Sequence, residues 1–190
     1  MDIDEQATRL HAGSLDAVYA LERLGQADPT LRGRVVEELC AYLRSTARDH
    51  RDVVHGVLVH HLSPVDPHEP VAWFWPDIDL DLSGAHLPDF ALQACTIRRA
   101  TFRAAVFTGR TSFRRCVFRA EADFSESAFR GSADFSDAIF AGPVSFAGTT
   151  FTAQPITADD WDVGDLTVSF DNTWFAVSEV PPEVHRFQPH

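Results

Sequence analysis

The chain has 190 residues, 45% of them hydrophobic, enough for one ordinary domain with a small appendage. Its formal charge of −12 favours solubility and argues against non-specific attraction to nucleic acid or anionic lipid. Cys40, Cys95 and Cys116 form an odd set without a CxxC pair, which argues against a disulfide framework and fits a reducing, cytoplasmic setting. The N-terminal MDIDEQATRLHAGS is acidic and polar, unlike a secretory signal. No apolar run reaches the roughly 20 residues that span a bilayer.

In chain order, Leu15, Val18, Tyr19 and Leu24 recur at helical spacing. Asp28 and Pro29 read as an N-cap and a favoured first helical residue. Leu31, Val35, Leu39, Cys40 and Leu43 then mark a second helix, and Val53, Val54, Val57, Leu58 and Leu62 a third. Residues 1–63 are expected to form a helical cap. Pro64, Pro67 and Pro70 mark a linker over residues 64–76. Trp73, Phe74 and Trp75 close the linker, where they can pack the helices onto the C-terminal part of the chain.

From position 82 a different period takes over. Large apolar residues stand at Leu82, Leu87, Leu92, Ile97, Phe102, Phe107, Phe113, Phe118, Phe124, Phe129, Phe135, Phe140, Phe146 and Phe151, and Ile156 and Trp161 extend the series. The spacing is five at first and alternates six and five after Phe107. Two residues before each stands a second, mostly small residue, such as Ala105, Cys116, Ala122 and Ala133; Phe90 is the bulky exception. A period of five fits neither a helix nor a long strand. It fits a chain that turns a corner every five residues with two side chains inward. Leu166, Val168 and Phe170 alternate like a strand, and Trp174, Phe175 and Phe187 are candidates to close the last coil within a C-terminal cap and tail over residues 166–190.

Segments such as ADFSESAFRGSADFSDAIF resemble the pentapeptide-repeat family over residues 77–165. FWPDIDLDLSGAHLPDF resembles the opening of the repeat block in a Phe-rich actinobacterial subgroup, and LDAVYALERL a helical segment of its larger relatives. The resemblance implies a mainly β fold: a right-handed, four-sided β-helix of about four coils behind a small helical region. It also implies a non-catalytic protein-interaction or scaffold module, with another protein as partner and room for a homodimer. An alternative comes from members similar to B-DNA in shape and charge, which bind DNA gyrase or topoisomerase IV and protect it from inhibitors. Four coils span only about 20 Å, or about six base pairs.

No catalytic residue, cofactor site or metal site is read from the sequence. His55, His60 and His61 lack HExxH spacing, and GxxxxGK[ST] and GxGxxG are missing. Cys95 and Cys116 fall in the same small slot of successive coils, where a disulfide is sterically conceivable and simple packing is the plainer reading. Charge is polarised along the chain. Residues 1–76 carry 7 Arg and 12 acids, residues 77–120 carry 7 Arg and 4 acids, and residues 121–190 carry 2 Arg and 12 acids. The cluster Arg98, Arg99, Arg103, Arg110, Arg114, Arg115 and Arg119 is the candidate contact surface for an acidic partner, against the plainer reading of a solvated face. Register places Arg98 over Arg119 and Arg115 over Asp137. No direct nucleic-acid binding is expected from the acidic total.

Overall fold

The structure, a computed structural model, describes residues 2–47, 49–64, 71–152, 168–170 and 173–175. Four helices come first: α1 (Ile3–His11), α2 (Leu15–Ala27), α3 (Arg32–Arg44) and α4 (Arg51–Leu62), with a short 3-10 turn at Pro29–Leu31. Asp28 caps that turn by accepting a bond from the Thr30 amide at 2.9 Å. Helix α1 carries no expectation from the sequence. It is capped by Asp2 and buries Ile3, Ala7 and Leu10 along one stripe. Tyr19, at a helical spacing that suggested the apolar stripe of α2, is exposed instead.

Thirteen short strands come next among the described residues: β1 (Asp79–Asp81), β2 (His86–Pro88), β3 (Thr96–Ile97), β4 (Arg99–Thr101), β5 (Val106–Ser112), β6 (Val117–Phe118), β7 (Ala122–Asp123), β8 (Ala128–Asp134), β9 (Ile139–Phe140), β10 (Val144–Ser145), β11 (Thr150–Phe151), β12 (Val168–Ser169) and β13 (Trp174–Phe175). They pair in parallel as ladders β1-β4-β7-β10, β2-β5-β8-β11 and β3-β6-β9-β13. The second halves of β5 and β8 run on into a further face, which β12 joins. The chain is therefore a β-solenoid with three complete turns between the first and fourth strand of each ladder.

The core explains the period. Phe side chains one coil apart stack face to face, with centroids 4.4–5.2 Å apart and planes within 19° of parallel. That separation matches strand spacing. Rings from different faces meet edge-on, as Phe113 does with Phe124 at 5.4 Å. The solenoid interior is thus filled by side chains. Ile156 and Trp161 lie outside the described residues. The rings above Phe135 and Phe140 are Phe170 and Phe175, at 4.7 and 5.2 Å.

Corners account for the alternation of five and six. Phe102, Phe113, Phe124, Phe135 and Phe146 each open a tight turn, in which the ring-bearing residue's carbonyl accepts from the amide three residues on at 2.9–3.2 Å. The residue between, at Ala104, Arg115, Glu126, Asp137 or Gly148, takes φ of +55° to +71°. Six-residue units bend widely instead, and β5 and β8 run straight across two of those bends. At that bend a Cβ on Gly131 would fall 1.9 Å from the Gly109 carbonyl, so the position admits only glycine. Asp81, Asp123 and Asp134 also brace corners, accepting from the amides of Ser83, Ser125 and Ser136 at 2.8–3.1 Å.

Coil 1 differs. Its ladder residues are Leu82, Leu87, Leu92 and Ile97, smaller than Phe, and Phe90 fills the space they leave. Phe90 meets Phe102, Phe107 and Phe113 at 6.2 Å and stacks on His55 of α4 at 4.6 Å. The raw edge of coil 1 exposes carbonyls that need donors. The helices supply them from side chains. Arg44 donates to the Asp81 carbonyl, Arg51 to His86 at 2.8 Å, His55 to Ala91 at 2.8 Å and Ser63 to Gln93 at 3.4 Å.

Candidate interaction surface

Solenoid geometry turns the charge pattern of the chain into bands. Coil 2, residues 99–120, carries Arg99, Arg103, Arg110, Arg114, Arg115 and Arg119 and no acid. Coil 3, residues 121–141, carries Glu121, Asp123, Glu126, Asp134 and Asp137 beside a single Arg130. Opposite charges that are remote in sequence thus become neighbours one coil apart. Arg99 faces Glu121 at 3.8 Å, Arg103 faces Glu126 at 2.7 Å and Arg114 faces Asp137 at 3.8 Å. Register sets Arg115 over Asp137, and its neighbour Arg114 approaches the same carboxylate.

On the other side of coil 2, the pairing of Ile97 with Phe118 does bring Arg98 beside Arg119. Each turns to its own carboxylate. Arg98 holds Asp79 through two bonds, at 2.8 and 2.6 Å, and Arg119 approaches Asp77 at 3.7 Å. The Arg110 backbone is held by Asp89, whose carboxylate accepts from its amide at 2.9 Å. The side chains of Arg98, Arg99, Arg103, Arg114 and Arg119 remain 52–58% exposed. Exposed pairs of this kind contribute about 0–1 kcal/mol each, so a partner can exchange them at little cost.

The seam between helices and coil 1 holds half-open clefts. One of about 370 Å³ is lined by Arg51, Asp52, His55, Asp89 and Phe90. A second of about 500 Å³ lies by Arg44, Asp79, Asp81 and Arg98. Arg44, Arg51, His55, Asp79, Asp81, Asp89 and Arg98 among them already have structural partners. The Arg51 guanidinium donates to the carbonyls of Leu43, Ser45, Ala47 and His86. Desolvation pushes the His55 imidazole below its ordinary value, partly offset by its bond to the Ala91 carbonyl. Among the described residues no three His, Cys, Asp or Glu side chains gather as a metal site. None of the helices described is long and apolar enough to cross a membrane.

Trp75, from the linker, is buried against the helical layer. It stacks on His61 at 3.9 Å, lies over Gly25 and under the Arg32 guanidinium, and donates to Gln26 at 3.1 Å. His61 bridges the Trp73 carbonyl and the Glu22 carboxylate, tying α2 and α4 to the linker. Trp73 is exposed and stacks on His60. The roles of Arg44, Arg51, His55 and Glu22 leave no sequence signal, because three of them serve backbone carbonyls and the fourth a histidine 39 residues away.

Comparison with known proteins agrees with this geometry in one respect. A family model of pentapeptide repeats, with nine copies, matches residues 113–154, the part of the chain that holds the stacked Phe ladders and the tight corners. No curated protein and no solved structure matches the chain significantly.

Proposed function

We propose that the chain, whose residues 113–154 match a family model of pentapeptide repeats, works as a non-catalytic module that docks another protein on the outside of its solenoid. The observation that carries this reading is the filled interior. Aliphatic side chains and Phe90 fill coil 1, stacked rings fill the coils after it, and the helices satisfy the open edge of coil 1, so a regular exterior is left for recognition. The contact surface is the Arg band of Arg98, Arg99, Arg103, Arg114, Arg115 and Arg119. Its guanidinium groups are held in a fixed array, more than half exposed where ion-paired, and bound only by weak pairs. An acidic partner surface replaces the carboxylates of coil 3 and of the linker end.

The alternative, a solenoid that imitates DNA for gyrase or topoisomerase IV, needs an unbroken negative surface. A band of six Arg with no acid in coil 2 interrupts it. The test is affinity capture from a lysate with the wild-type chain and with an Arg99→Glu/Arg103→Glu/Arg119→Glu variant of unchanged melting temperature. A protein retained by the first and lost by the second supports the docking reading. Capture of topoisomerase subunits that survives the variant, with protection in a supercoiling assay, sinks it in favour of the alternative.

A further inference from the structure

Cys95 and Cys116 fill the same small inward slot of coils 1 and 2. The pairing of Thr96 with Val117, and the bond from the Val117 amide to the Cys95 carbonyl at 2.8 Å, set them directly above one another. Strand spacing places their Cα atoms about 4.8 Å apart, inside the range of about 4.4–6.8 Å that a disulfide spans. Both are free thiols. Polar surroundings separate this slot from the others. The Ser63 hydroxyl, at the end of α4, lies 3.3 Å from the Cys95 sulfur, and the Cys116 sulfur lies against the Leu92 carbonyl. Cys40, buried among the helices, has its thiol pushed up to about 12 by desolvation.

We propose that Cys95 and Cys116 form a dithiol that a small hydroperoxide converts to a disulfide, pinning coil 1 to coil 2 beneath the end of α4. Cys95 is the attacking residue. The hydrogen bond from Cys116, and after it the one from Ser63, holds its thiol below the ordinary value in spite of burial, whereas burial and the Cys95 sulfur beside it raise Cys116. In the first step the Cys95 sulfur bonds to one peroxide oxygen and the O–O bond breaks. The other oxygen leaves as hydroxide or alkoxide and takes a proton, and Cys95 becomes a sulfenic acid. In the second step the Cys116 sulfur bonds to that of Cys95 and the S–O bond breaks. Water leaves with the Cys116 proton. The two sulfurs lose two electrons and the peroxide gains them. A small oxidant suits a pair that is wholly buried, with Ser63 the group lying over Cys95 from the helical side.

The test treats the native protein with stoichiometric hydrogen peroxide, then counts thiols after denaturation and weighs the chain. Loss of two thiols and two hydrogens from a monomer, with Cys40 intact and reversal by dithiothreitol, is the expected result. Retention of all three thiols, or bridges between chains only, overturns the proposal. The slot holds the small Ala138 in coil 3, and the corresponding inward position of a neighbouring face holds Ser127 and Thr149, so Cys95→Ser and Cys116→Ser are compatible with the fold. In Cys116→Ser, peroxide leaves a sulfenic acid on Cys95 that dimedone labels. Cys95→Ser gives neither label nor mass loss. Labelling of Cys116 as readily as Cys95 overturns the assigned order.

Discussion

Coil 1 and coil 3 of the solenoid have the same shape and are held by different means. Coil 3 is repetitive: four Phe rings, each stacked on a ring of the coil before, with tight corners at Glu126 and Asp137. Coil 1 is individual: aliphatic ladder residues, one Phe at the axis, and an edge closed by four side chains of the helical layer. The difference shows that repetition solves the packing of a solenoid interior but cannot solve its end. An end must satisfy carbonyls that the next coil would otherwise satisfy, and each needs its own donor.

The largest effect that separates the two regions is expected at Phe124, whose ring touches those of all four faces. Phe124→Ala removes stacking on Phe102 and Phe146 and edge contacts to Phe113, Phe118 and Phe135. A loss of about 3–5 kcal/mol is expected, read by chemical denaturation. Overpacking the same coil comes next. Ala133 is fully buried beside rings that leave it no room, and Ala133→Leu is expected to cost about 1–3 kcal/mol. A variant that melts no lower than the parent would count against its inward position.

At the coil 1 end, Arg51→Ala strips donors from four backbone carbonyls. A cost of about 1–3 kcal/mol is expected, with faster hydrogen exchange in coil 1 and little change in coil 3. A uniform change across the solenoid would show that the two regions do not differ in this way.

The pH response should also locate at that end. His55 is half-buried, and desolvation puts its folded value below its ordinary 6.5. The unfolded chain therefore binds the proton more readily, and stability rises with pH where it does so. The His55 contribution is fully present above about 6.5 and is lost as pH falls from there through the lower folded value. Melting temperature measured across this window should fall toward acid, and less so in His55→Gln. The smallest effect is a gain. The Ser127 hydroxyl is buried without a partner, so Ser127→Ala should raise stability by about 1 kcal/mol. A lower melting point would reveal a bond to that hydroxyl.

How much of this was legible depends on where each interaction is written. The solenoid was legible because large and small inward residues recur every five or six positions, a signal that needs no knowledge of partners. Its corners were not. Four of the five left-handed positions, Ala104, Arg115, Glu126 and Asp137, lack the glycine that usually marks such a conformation. The Arg cluster was visible as composition. Its carboxylates were not, since Arg103 and Glu126 are 23 residues apart and meet only because a coil is about that long. Helix α1 was missed because its apolar stripe is only Ile3, Ala7 and Leu10 in a polar segment. At the far end, Phe170 and Phe175 continue stacks for which the simple period pointed to Ile156 and Trp161.

The opposed bands of coils 2 and 3 bear on how the chain finds its own arrangement. Stacks of similar rings are nearly interchangeable, and a coil that docks one level too far loses little of its apolar contact. Charge makes the levels distinguishable. A second copy of coil 2 laid on coil 2 sets six guanidinium groups against six, and coil 3 on coil 3 opposes carboxylates in the same way. The weak pairs between Arg103 and Glu126, or Arg99 and Glu121, therefore matter less for holding the finished molecule than for telling one storey of it from the next while it winds.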